Sequence, residues 1–129
     1  MILKSFELSK IKLNNYKFYL LYGENEGLKE QTIKSLFEKK YRDRIQRYEE
    51  KEILNNVDGF FNSIFTKSFF DNEKLIIINR TTEKIREIVQ ELVEKNPEDI
   101  QIILNSKNLE KKSALRNFFE KGKSIVCVP

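Results

Sequence analysis

Four stretches of the chain are short, unbroken apolar runs with hydrophilic flanks: KFYLLYG at 17–23, KLIIIN at 74–79, IQIILN at 100–105 and SIVCV at 124–128. Polar residues do not alternate with apolar ones inside them. Both faces must therefore be covered, which is the condition of a strand within a parallel sheet. A more mixed stretch at 45–49 is a further candidate. Between these runs the period changes. Ile85, Ile88, Val89, Leu92 and Val93 fall on one face of a helix, with Thr81 or Thr82 as its N-cap. Ile33, Leu36, Phe37 and Tyr41 form a second stripe. Leu115, Phe118 and Phe119 form a third, with Gly122 as its C-cap. Leu54, Val57, Phe61, Ile64 and Phe65 predict another helix, interrupted in its middle by Asp58-Gly59.

Strands and helices thus alternate along the whole chain. That order predicts an α/β fold of three layers, a mainly parallel sheet of about five strands flanked by helices, with right-handed crossovers. At 129 residues the chain forms one domain, 1–129, long enough to bury a core. There is no internal repeat and no low-complexity linker. Pro129 follows a strand directly, which reads as the cut end of a longer protein.

Composition narrows the chemistry by what it lacks. The chain has no histidine, so a Ser/His/Asp triad, a Cys/His pair and a His-ligated zinc are all excluded within it. Its one cysteine, Cys127, leaves no internal disulfide and no paired thiols for a metal, and its apolar setting reads as a buried, inert thiol. No metal site, catalytic residue or cofactor is assigned. The net charge of +4 comes from 24 basic and 20 acidic residues spread along the chain, the signature of solvated faces more than of a nucleic-acid patch. The N-terminus is charged and lacks a signal-peptide core, and no apolar run reaches membrane-spanning length. The expectation is a soluble cytoplasmic protein without membrane contact.

One stretch, YLLYGENEGLKEQ, has the outline of a phosphate loop: strand, glycine turn, helix with an early lysine. The working pattern is G-x-x-x-x-G-K-[ST], whose amides cradle phosphate, whose lysine reaches the outer phosphates and whose hydroxyl binds Mg²⁺. Counted from Gly23, the second glycine is Leu28, the lysine is Lys29 and the hydroxyl is Glu30. Glu24, Glu26 and Glu30 place negative charge where a polyanion would sit. Gly27 is one position early and relaxes the turn. The acid that would end the third strand and hold magnesium is replaced by Asn79 and Arg80, and Asn105 ends the next strand. Lys29 therefore reads first as a solvent-facing helix lysine and only second as a phosphate ligand. The fold of a nucleotide hydrolase is predicted, with a degenerate nucleotide site.

A second stretch, SFFD at 68–71, has the S-x-x-D form of a capping box and would start a short helix at Phe69. Adjacent residues on a helix diverge by about 100°, so Phe69 and Phe70 cannot both point inward. From the residues alone, a cap over the end of the sheet is the first reading. The second is an exposed plug for a partner's groove.

YLLYGENEGLKEQ, SFFDNEKLIIINR and ILNSKNLEKKSALRNFFEKGKSIVCVP, taken together, resemble the N-terminal domain of the delta subunit of bacterial DNA polymerase III. The resemblance is collinear over essentially the whole chain, and LEKKSALRNFFE at 109–120 is its most specific block. It implies an AAA+-like domain of the clamp loader that does not hydrolyse ATP. It also implies that Ser68, Phe69 and Phe70 match the family's S-L-F element, whose apolar pair wedges into the sliding clamp, with Phe69 in place of the usual Leu. On this resemblance the plug reading of the pair takes precedence. The partners implied are the sliding clamp (the beta subunit), the other loader subunits through the full-length protein, and DNA indirectly. Nucleotidyltransferase activity would reside in other subunits, and the family's helical lid and collar domain are absent from this chain. Two rivals stand beside this reading: a P-loop-type ATPase or phosphotransferase with an unorthodox loop, and a nucleic-acid-binding module drawing on the basic excess.

Overall fold

In the computed structural model, which describes residues 2–4, 16–42, 44–65, 73–95, 97, 99–107, 109, 113–121 and 125–128, six strands pair in parallel. They are β1 (Ile2–Lys4), β2 (Phe18–Tyr22), β3 (Ile45–Glu49), β4 (Lys74–Thr81), β5 (Ile100–Ser106) and β6 (Ile125–Val128). Their order across the sheet is β1-β6-β2-β5-β4-β3. The expectation of about five strands is corrected by β1, which pairs with β6. Three residues are too few to carry a period, so the hydrophobic pattern could not reveal it.

The helical segments are α1 (Glu26–Ile33), continued by a π-helical stretch (Lys34–Glu38) and α2 (Lys39–Tyr41), then α3 (Glu50–Asn55) and α4 (Val57–Phe65). A 3-10 turn (Glu83–Ile85) leads into α5 (Arg86–Lys95), and α6 (Ala114–Lys121) precedes β6. Thr82 caps that turn, its hydroxyl accepting from the Lys84 amide at 3.3 Å, while Thr81 stays in β4. Gly122 lies outside the described residues. Among these residues no helix is long and apolar enough to cross a membrane.

Parity along the strands sorts the core into two layers. Phe18, Leu20, Tyr22, Ile76, Ile78, Ile102 and Leu104 point to one face and meet Ile53, Phe60, Ile64, Ile88, Val89, Leu92, Leu115 and Phe119 from the helices. Tyr19, Leu21, Leu75, Ile77 and Ile103 point to the other and meet Ile33, Phe37 and Tyr41 at i, i+4, i+8. Leu36 is only partly buried there. This double coverage is why the strand sequences do not alternate. Each fully buried Ile contributes about 1.5–3 kcal/mol of transfer free energy.

The helix expected around Asp58-Gly59 is two helices. Asn56 separates them and caps α4, its Oδ1 accepting from the Gly59 amide at 3.1 Å. A Cβ on Gly59 would stand 2.4 Å from the Asn56 amide nitrogen, so the glycine makes room for the cap. The buried face is Ile53, Phe60 and Ile64, whereas Leu54 and Phe65, expected inside, are exposed.

Candidate functional site

In a parallel sheet the strand-to-helix turns gather at the C-terminal edge, and ligands of open α/β sheets bind there. β2 ends at Tyr22 and the chain turns at Gly23, whose φ of 132° lies where a side chain would be strained. The Gly23 amide donates to the Lys107 carbonyl at 2.8 Å, joining the turn after β2 to the turn after β5. Asn25 then caps α1: its Oδ1 accepts from the Leu28 amide at 3.0 Å and its carbonyl from the Lys29 amide at 3.2 Å. The Glu26 amide donates to the Glu24 carbonyl at 3.0 Å. Four amides of the loop are thus bonded within the protein.

Lys29 corrects the expectation of a solvent-facing lysine, being only 5% exposed. Its Nζ donates to the Ser106 carbonyl at 2.6 Å and to Glu26 Oε1 at 2.7 Å. The hydrogen bond from Lys29 holds the Glu26 carboxyl below the usual carboxylate range, against a smaller opposing effect of burial. Gly27 is the second residue of α1, and a Cβ there would meet nothing nearer than 3.6 Å. The turn therefore owes its freedom to Gly23, and Gly27 relaxes nothing. Glu26, expected only as a repulsive charge, is instead the counter-ion of Lys29. The i, i+3 spacing of Glu26 and Lys29 was the signal for the pair.

Asn79 and Asn105 reach the same edge. Asn105 is buried, and its Nδ2 donates to Asn79 Oδ1 at 3.2 Å. The hydroxyls of Thr81 and Ser106 share a hydrogen bond beneath them. Between Asn79 and Thr81 the β4–β5 ladder is irregular, and Arg80 adopts φ 55° with its Nε 3.9 Å from Glu49 Oε2. Glu26, Glu30, Glu49, Asn79, Arg80, Asn105 and Lys107 ring an open cavity of about 520 Å³. Among the described residues no three His, Cys, Asp or Glu side chains are grouped to hold a metal.

The N-terminal edge differs. Ser68, Phe69 and Phe70, with the capping box expected at 68–71, lie outside the described residues. The residues on either side of them belong to this edge, because α4 ends at Phe65 and β4 begins at Lys74. Phe65 is 38% exposed and stacks on Phe61 with ring centroids 6.2 Å apart and planes 8° apart. The Lys95 ammonium stands over both rings, at 5.1 Å from Phe61 and 5.5 Å from Phe65.

Nearby, at the starts of β2 and β5, the buried Gln101 accepts from the Tyr41 hydroxyl and donates to the Tyr16 carbonyl at 2.7 Å. Burial is the main cause that pushes the Tyr41 hydroxyl up to about 12, and burial raises Tyr19 as well. β4 separates the two edges by about 25 Å, at 3.3 Å per residue.

A search of curated proteins returns no match. A family model described as DNA polymerase III, delta subunit, matches residues 19–128, which takes in the loop at 23–30, the 68–70 stretch and the LEKKSALRNFFE block. With so much of its length matched, the chain belongs to the delta subunit family of DNA polymerase III, a component of the clamp loader.

Proposed function

We propose that this chain is an AAA+-like domain that binds the sliding clamp through Ser68, Phe69 and Phe70 and helps to open it for loading onto primed DNA, without hydrolysing ATP. The observation that carries the non-hydrolytic part is the state of Lys29. Its ammonium is bonded to Ser106 and Glu26, and the amides of Gly23, Glu26, Leu28 and Lys29 are bonded internally. A phosphate entering here would have to break those bonds and meet Glu26 and Glu30. The sheet order, with β5 between the loop strand β2 and β4, supports the AAA+-like assignment. The family match across residues 68–70 supports the clamp-binding assignment.

The mechanism is mechanical. Phe69 and Phe70 enter an apolar groove on the clamp, and binding favours an open clamp to the extent that affinity for that state is greater. In the cell the domain acts in the cytoplasm within the loader, meeting DNA through the complex. The test is clamp affinity of the Phe69→Ala/Phe70→Ala protein; unchanged affinity with an intact fold would overturn the reading. The cavity beside Asn79 and Asn105 keeps one rival worth testing, a nucleotide-binding ATPase. Titration with Mg-ATP decides it: saturable tight binding abolished by Lys29→Ala would favour the rival.

A further inference from the structure

Glu49, Asn79 and Asn105 stand in one row across the C-terminal ends of β3, β4 and β5, each opposite the next in the strand register. They share the parity of Ile45, Ile77 and Ile103, so the row lies on the face that α1 covers. Glu26 and Glu30 of α1 stand with it around the open cavity of about 520 Å³. The loop at this edge is bonded within itself; the row beside it is not.

Asn105 is 4% exposed and its Nδ2 donates to Asn79 Oδ1, yet its own Oδ1 has no hydrogen-bond partner among the described residues. Glu49 Oε2 is likewise closed off from water and without a hydrogen bond. An acceptor taken out of water and left unbonded costs stability, and such groups are few in folded proteins. Both atoms are acceptors, so the partner they lack is a donor, which neither phosphate nor any other anion supplies. A metal ion fits no better, since among the described residues no three His, Cys, Asp or Glu side chains are grouped to hold one.

One group of the chain already leans on the row. Arg80 Nε stands 3.9 Å from Glu49 Oε2, beyond hydrogen-bond reach, and its side chain is 82% exposed. Arg47 Nη1 is 4.0 Å from Glu30 Oε2, and both of those side chains are exposed as well. Exposed pairs at such distances are weak and readily exchanged.

The geometry points to a binding site for a guanidinium group at this row, bonded to Glu49 Oε2 and Asn105 Oδ1 beneath the Glu26 and Glu30 carboxylates, with Arg80 turned out into solvent. Glu49 and Asn105 are two strand spacings apart, about 10 Å between backbones. A planar fork with five donors bridges acceptors on separate strands, whereas an ammonium presents its donors from one point. The site is independent of the clamp reading, which concerns the opposite edge of the sheet.

The experiment titrates the whole chain by calorimetry with N-acetyl-arginine amide, its lysine counterpart and inorganic phosphate. The arginine compound is expected to bind saturably and about fivefold or more tighter than the lysine compound, with no binding of phosphate. Glu49→Gln, which keeps an oxygen to cap α3, should weaken arginine binding about fivefold or more. Asn105→Leu should do the same with its unfolding midpoint unchanged or raised, because the unbonded acceptor is gone. Arg80→Asn carries the sign of the site, and asparagine accepts the φ of 55°. It should tighten arginine binding about two- to fivefold by removing a competing guanidinium, whereas an anion site would be weakened by it. No saturable binding of the arginine compound, equal affinity for the lysine compound, or weaker binding in Arg80→Asn would each overturn the inference. If Asn105→Leu does not fold, Glu49→Gln decides alone, and unchanged affinity there overturns it. A short peptide with one central arginine separates the sources of the group. Tighter binding than the amide means a partner's side chain and equal binding a free small compound; both uphold the site.

Discussion

Lys29 and Lys74 sit at opposite edges of the same sheet, and each gives its ammonium to a backbone carbonyl. Lys29 reaches Ser106 at the C-terminal edge and adds a carboxylate, Glu26, at 2.7 Å. Lys74 reaches the Ser63 carbonyl at the N-terminal edge with, among the described residues, no carboxylate beside it, and burial depresses its pKa. A buried cation with a counter-ion closes a gap in the structure, whereas one held without a counter-ion carries a cost. The C-terminal edge thus has the outline of a ligand site, and its loop is bonded within itself. The N-terminal edge holds the exposed Phe65, the half-buried Lys74 and both ends of the segment bearing Phe69 and Phe70.

The hardest test of that contrast is to remove the aromatic pair. Phe69→Ala/Phe70→Ala is expected to weaken clamp binding by about a hundredfold or more, since each central apolar anchor is worth about 2 kcal/mol or more. Calorimetry or surface binding gives the number, and a matching unfolding curve shows whether the fold survives. A small change would move the working surface away from this edge. A collapsed fold would restore the core reading of the pair.

The edges also differ in their response to alkali. Tyr41, at the N-terminal edge, has its hydroxyl pKa raised to about 12 and donates a hydrogen bond to the Gln101 side-chain oxygen. A raised pKa means that the folded chain keeps a proton the unfolded chain gives up. The stability it supplies is fully present below pH 10 and is lost as pH climbs from 10 through about 12. At 1.36 kcal/mol per unit, the loss over that window is about 2–3 kcal/mol. Tyr41→Phe should flatten the pH dependence of the urea midpoint above pH 10; an equally steep curve would move the effect to other groups, Tyr19 first.

Much of this was legible in the chain and some was not, for physical reasons. The runs FYLLY, LIIIN and IQIILN declare covered strands because parity fills both faces, and the stripe Ile33, Phe37, Tyr41 declares its helix by period. The failure of the phosphate loop could be counted off at Leu28 and Glu30. The fate of Lys29 could not, because its deciding partner, the Ser106 carbonyl, is 77 residues away. Ser63 and Lys74 escaped notice for a similar reason, since a backbone acceptor leaves no trace in side-chain patterns. Leu54 and Phe65 lie outside because Asn56 divides the stretch into two helices, so no single stripe runs from 54 to 65; Ile53 is buried from the first helix and Phe60 and Ile64 from the second.

Lys29→Met measures how far the C-terminal edge depends on its internal bond. The substitution keeps the stem and leaves the Ser106 carbonyl without its donor, while Glu26 is exposed enough to return to water. The expected loss of stability is about 1–3 kcal/mol, the cost of an unsatisfied buried acceptor. A change near zero in the urea midpoint would mean that the lysine is not engaged as described and is free for a ligand.

The smallest effect separates the two glycines of the loop. A phosphate-binding loop needs glycine where backbone approaches the ligand, so replacing Gly27 would damage such a site. Here Gly27 lies inside α1, and a Cβ would meet only Asn25 Oδ1 at 3.6 Å, an ordinary contact. Gly27→Ala should therefore raise stability by about 0.4–1 kcal/mol through the lower entropy of the unfolded chain. Gly23→Ala should lower it, because φ 132° is strained for any side chain. Opposite signs for the two substitutions in thermal unfolding would place the turn's conformational need at Gly23 alone. A destabilising Gly27→Ala would return the loop to the company of phosphate binders.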